Sequence, residues 1–118
     1  VRAKLKSLSS TTVDDLENWS SNGDSFGVVL DAMIGPSESE GAELFSITVC
    51  TPDWFAANRM NGSAVTSGIH TLFVAQYDYR ALRAFIERAV YRTEADTWSG
   101  VAERLSWLGS WEFFDYTP

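Results

Sequence analysis

The sequence predicts an α+β fold: a mostly antiparallel sheet of about five strands, with two longer helices and one short helix packed on one face. Three observations predict it. Two alternating apolar stretches flank a Gly- and Glu-rich turn, the pattern of a β-hairpin. Two stripes of helical period come late in the chain, rather than between successive strands as a parallel sheet would require. The chain has 118 residues, 45% of them hydrophobic and five of them Trp, enough for one hydrophobic core and one domain over 1–118.

The elements follow in chain order. "VRAKLKSL" sets Ala3 and Leu5 against Arg2, Lys4 and Lys6, the period of a half-exposed strand. "SSTTVDDLENWSSNGDS" reads as a long polar loop, with one helical turn near Val13–Leu16. "FGVVLDAMI" is the clearest strand, with Phe26, Val28, Leu30, Ala32 and Ile34 on one face. "GPSESEGAE" is the hairpin tip, and "LFSITVC" resumes the alternation with Phe45, Ile47 and Val49 facing the core, so Cys50 points the other way. The period changes at "TPDWFAAN": Thr51 suits a helix cap, Pro52 the first helical position, and Asp53 the positive end of the helix dipole. "IHTLFVAQ" is a fourth strand. In "DYRALRAFIERAVYR" an apolar stripe runs through Leu82, Phe85, Ile86, Ala89 and Val90, with Arg83 and Glu87 paired beside it. A second stripe holds Trp98, Val101, Ala102, Leu105 and Leu108, with Gly109 as the helix stop. "WEFFDY" is a last aromatic strand. The face away from the helices would carry Lys4, Lys6, Val29, Asp31, Met33, Ser46 and Thr48, a mixture suited either to recognition or to plain solvation.

Charge is unevenly spread. The net charge is −7, yet residues 1–6 hold Arg2, Lys4 and Lys6 and no acid. Residues 7–58 hold nine acids and no Lys or Arg. An acidic excess repels phosphate backbones, which argues against nucleic acid as a partner. It serves either solubility or the steering of a basic protein partner. No apolar run approaches the roughly 18 residues of a membrane span, and no signal-peptide pattern opens the chain. One cysteine makes no internal disulfide, so a cytoplasmic setting is expected.

Motifs for chemistry are scarce. Cys50 and His70, the sole cysteine and sole histidine, fall on two expected strands and would form a dyad if those strands paired in register. That arrangement would suit a small enzyme or ligand-binding domain, although packing is the commoner use of both residue types. One His and one Cys fall short of a metal-ligand set, and "ESEGAE" lacks the alternating ligands of a calcium loop, so no metal or other cofactor is expected. No phosphate-binding glycine loop or nucleophile elbow occurs. Trp98, Phe85, Phe26 and Phe45 read as core. Trp19 stands apart, in a polar loop beside Asp14, Asp15 and Glu17. It either folds back onto the core or anchors an acidic contact patch.

"FGVVLDAMIGP", a Glu-rich turn and then "ELFSITVCTPDWF" resemble the immunity protein 8 family of bacterial polymorphic toxin systems. "AKLKSLSS" and "WEFFDY" fit as well, so the resemblance covers most of the chain. Its most specific part is the segment Cys50, Thr51, Pro52 and Trp54, whose residues read as structural. The resemblance implies a small cytosolic protein that binds and neutralises a cognate toxin without catalysis. On that basis the expected partner is a toxin with a basic contact surface, the expected state a monomer. The expected contact residues are Asp14, Asp15, Glu17 and Trp19, with Glu38, Glu40 and Glu43 at the hairpin tip.

Overall fold

A computed structural model describes residues 1–21 and 23–113 of the chain. The alternating stretches form strands β1 (Ala3–Ser9), β2 (Gly27–Pro36) and β3 (Glu43–Cys50), paired antiparallel in that order. The far edge of β3 is shared. Strand β4 (Thr71–Phe73) lies parallel beside its C-terminal end, and β5 (Ser110–Trp111) lies antiparallel beside its N-terminal end. The α+β class and the mostly antiparallel five-stranded sheet are therefore as expected. Strand β4 is shorter than the apolar run 69–76 suggests, because His70 takes a left-handed conformation (φ 62°) that starts the strand late. Of the expected aromatic strand "WEFFDY", the chain pairs at Trp111, while residues 114–116 lie outside the described residues.

The hairpin alternation holds residue by residue. Val28, Leu30, Ala32 and Ile34 of β2 and Phe45, Ile47 and Val49 of β3 are buried on one face. Against them pack Leu82, Ile86 and Val90 of helix α2 (Tyr79–Tyr91) and, from the second stripe, Val101, Ala102, Leu105 and Leu108 around helix α3 (Trp98–Arg104). Asp78 and Thr97 cap these two helices by accepting from the backbone N–H groups of Ala81 and Gly100, at 3.0 and 3.1 Å. Phe85 departs from expectation. It sits on the edge of the α2 stripe and is 44% exposed, because it lies roughly 100° around the helix from Ile86 at the centre of the buried face. Gly109 also has another use than a helix stop: α3 ends at Arg104, and Gly109 presses against β3, where a methyl group would stand 3.0 Å from Ile47 and 3.1 Å from Phe45. Val13 and Leu16 of the polar loop are buried in the core, with a turn at 16–18 and no helix.

The short helix α1 (Pro52–Phe55) runs on into a π-helical turn, Ala56–Met60, that ends at left-handed Asn61. In one detail the layout differs from expectation: this segment lies across the sheet face opposite α2 and α3. Trp54 covers Gly27, where an added methyl would stand 2.3 Å from the indole. Gly27 pairs with Cys50 in the register, so both point to that outer face. Arg59 reaches back over it to Thr48 Oγ1 at 3.3 Å, and Phe55 meets Phe73 edge-on. Thr51 does not cap the helix. Its hydroxyl turns to the start of β2, accepting from the Phe26 N–H at 3.2 Å, and so closes the strand-to-helix corner instead.

Candidate partner-binding surface

The acidic loop is held in place by its own side chains. Asp15 accepts from the Asn18 side-chain amide at 2.8 Å and from the Asn18 N–H at 3.3 Å. These bonds, the side-chain one foremost, hold the Asp15 carboxyl below the usual carboxylate range, so its charge persists at neutral and mildly acid pH. Asp14, Asp15 and Glu17 are all exposed. Trp19 folds back: its ring meets Phe26 and Tyr77 edge-on, with centroids at 5.6 and 4.7 Å, and remains half-buried. Tyr77 donates its hydroxyl hydrogen to the Leu16 carbonyl, which ties the loop to the segment after β4. Burial pushes the Tyr77 phenol above its ordinary value.

The hairpin tip is a separate place. Glu38 and Glu40 are exposed on the turn after β2, and Lys6 donates to the Ser39 carbonyl beside them. Glu43 is already the first residue of β3 and is half-buried. Its Oε1 accepts from the indole N–H of Trp98 and, at 3.3 Å, of Trp111, so one carboxylate joins β3 to α3 and β5. Loop and tip stand at opposite ends of β2. Its ten residues, at about 3.3 Å each, put roughly 30 Å between them. The structure brings Asp14, Asp15, Glu17 and Trp19 together, and Glu38 with Glu40, but not the two groups into one patch. Sequence reading missed the role of Glu43, since nothing local marks an acid whose acceptor sites face two distant tryptophans.

Cys50 and His70 are not brought together. Cys50 is opposite Phe73 in the parallel register, three residues beyond His70, whose carbonyl is occupied by the Thr48 N–H at 2.9 Å. The Cys50 side chain is 0% exposed beneath α1. Burial pushes its thiol above the ordinary value, against a smaller opposing pull from Arg59. Native protein at neutral pH is therefore expected to leave Cys50 unmodified by an aromatic disulfide reagent, with stoichiometric reaction only on addition of denaturant. Rapid labelling of the folded protein would contradict this assignment. Among the described residues, no three His, Cys, Asp or Glu side chains gather where a metal ion would sit. No helix among them is long and apolar enough to cross a membrane.

The family model described as immunity protein 8 matches residues 3–116, nearly the whole chain. The chain belongs to the immunity protein 8 family. Among the described residues, the matched span takes in every strand and helix of this immunity protein, the hairpin, the corner under α1 and the late helices included. No curated protein and no solved structure matches the chain. As a family member it is an immunity protein of a bacterial toxin system, with a toxin as the implied partner.

Proposed function

We propose that this immunity protein acts in the cytoplasm as a monomer that binds its cognate toxin and neutralises it by contact, without catalysis. The family match over residues 3–116 carries this reading. The contact we assign to the acidic loop, where Asp14, Asp15 and Glu17 stand exposed beside half-buried Trp19, with Glu38 and Glu40 at the far end of the hairpin as a second, smaller contact and Glu43 bracing the tip from β3. Nine acids without a single Lys or Arg across residues 7–58 favour a toxin with a basic contact surface. Such complementarity speeds encounter and sets orientation more than it sets the final affinity. The Trp19 ring supplies the desolvated anchor that slows dissociation.

The test is association kinetics with the toxin encoded immediately upstream of the immunity gene. Asp14→Lys with Glu17→Lys reverses the loop charge and leaves the Asp15–Asn18 bonds intact. The on-rate at low salt should fall roughly ten- to a hundredfold, with a flatter salt dependence. Glu38→Lys with Glu40→Lys tests the tip separately, while Glu43 is left unchanged because two indole N–H groups depend on it. On-rates equal to the parent for both pairs would take the acidic clusters out of the interface.

A further inference from the structure

The cations of this acidic chain are concentrated in one place. A groove of about 1170 Å3 runs between the N-terminal half of β1 and one side of α2, and ends at the hairpin tip. Arg2, Lys4, Arg83, Arg88 and Arg92 line it, five of the nine Lys and Arg residues in the chain. Three acids, Glu38, Glu87 and Glu94, share the lining, which leaves a positive balance in a molecule of net charge −7. Two cations are already paired: Arg2 with Glu94 at 3.0 Å and Arg83 with Glu87 at 2.6 Å. Lys4, Arg88 and Arg92 are exposed and, among the described residues, make no ion pair or side-chain hydrogen bond. Nothing in the described part of the fold uses them.

The groove also borders an open strand edge. Residues 93–95 cover the start of β1, with the Ala3 N–H donating to the Thr93 carbonyl and the Ala95 N–H to the Val1 carbonyl, both at 3.0 Å. Among the described residues, the cover stops there. Strand alternation turns the backbone of Leu5 the same way as that of Ala3, and Leu5 lines the groove. A bulge at Lys6 then breaks the ladder, so the usable edge is short. Tyr91 stands exposed on the helix side with the Arg2 guanidinium 4.7 Å above its ring.

We propose that this groove docks a short, extended acidic segment of a partner protein, laid along the β1 edge between the cations of β1 and α2. Main-chain bonds to the edge would hold the segment, and its carboxylates would meet Lys4, Arg88 and Arg92. A polypeptide fits better than a nucleic acid. The groove interleaves Glu38, Glu87 and Glu94 with its cations and offers apolar ground at Leu5, Ala84 and Tyr91. A phosphodiester backbone would bring a negative charge at every residue, against both those glutamates and the acidic remainder of the chain. The docking does not depend on which surface meets the toxin.

Fluorescence anisotropy tests it without the toxin. The probe is a labelled peptide alternating glutamate and valine, about as long as β1, compared with its lysine–valine counterpart and with a labelled oligothymidylate. The acidic peptide should bind saturably and the lysine peptide should not. Raised salt should weaken binding, and Arg88→Glu with Arg92→Glu should weaken it about tenfold or more. If that pair lowers the melting temperature, Arg88→Gln with Arg92→Gln, which only removes charge, should still weaken it severalfold. Absence of binding, equal binding of both peptides, or binding that neither variant changes would overturn the proposal. So would oligothymidylate binding abolished by the variants, or self-association abolished by them, since the occupant would then be a nucleic acid or a second copy of this chain.

Discussion

Phe45→Ala is expected to destabilise the protein by about 3–5 kcal/mol, which lowers the melting temperature by roughly 10–20 °C. Phe45 lies on β3, the strand that β2, β4 and β5 all join, and it is 0% exposed. Its ring stacks on Trp111 with centroids 6.4 Å apart and planes 13° from parallel. Gly109 closes over it from the segment after α3, so the backbone on that side is already in close approach and has little room to collapse further. The cavity left by an alanine would therefore persist, and a persistent cavity is what raises the cost above simple transfer. Phe45→Leu keeps most of the volume and should cost less than about 1.5 kcal/mol. Urea unfolding of the two variants against the parent checks both figures. Equal losses for Ala and Leu would show that the site relaxes, contrary to the close approach of Gly109.

The second large effect is expected at Gly35, near the end of β2. A methyl group there would stand 1.9 Å from the Gly41 carbonyl oxygen and 3.0 Å from the Ala42 Cα, both backbone atoms of the returning hairpin. No side-chain rotation relieves that overlap. Gly35→Ala must push the tip away from β2, and with it the Ser37 N–H bond to the Arg2 carbonyl at 2.8 Å and the Lys6 contact with Ser39. The cost should reach about 3 kcal/mol, the upper part of the range for overpacking. Gly41→Ala is the control: among the described residues nothing lies within 4 Å of a methyl group at Gly41, and its φ is not positive, so stability should change by less than about 0.5 kcal/mol. The contrast bears on the proposed contact, because the same displacement would move Glu38 and Glu40. Comparable stability for the two alanine variants in a urea titration would refute the close packing of the tip.

The parts legible in the sequence were those whose physics is local. Alternation along residues 26–34 and 45–49 sets one face of each strand toward the core, since a register slip of one residue would bury Val29, Asp31 and Met33 instead. The stripes in 82–90 and 98–108 likewise had to face the sheet, with Leu82, Ile86, Val90, Val101 and Leu105 all buried. Local rules failed where a residue's partner came from far along the chain. Thr51 has the chemistry of a cap, yet Phe26 N–H competes for its hydroxyl once β2 pairs with β3. Phe85 fits the stripe but lies at its exposed margin. Of the proposed contact residues, Asp14, Asp15, Glu17, Glu38 and Glu40 are exposed, whereas Glu43 turns inward to two tryptophans. The basic groove left only a faint trace, cations at 2–4 and 83–92 with nothing to say that they face each other.

By itself, then, the sequence determined the strand faces, the two helices and the charge imbalance. Each follows from residues close together in the chain. Tertiary structure alone decided that α1 crosses to the outer face and seals Cys50, and that the acidic loop and tip end up far apart. It also decided that β1 and α2 pool their cations in one groove. These depend on which strand edges meet and at what register, a global packing choice on which short-range periodicity has no bearing.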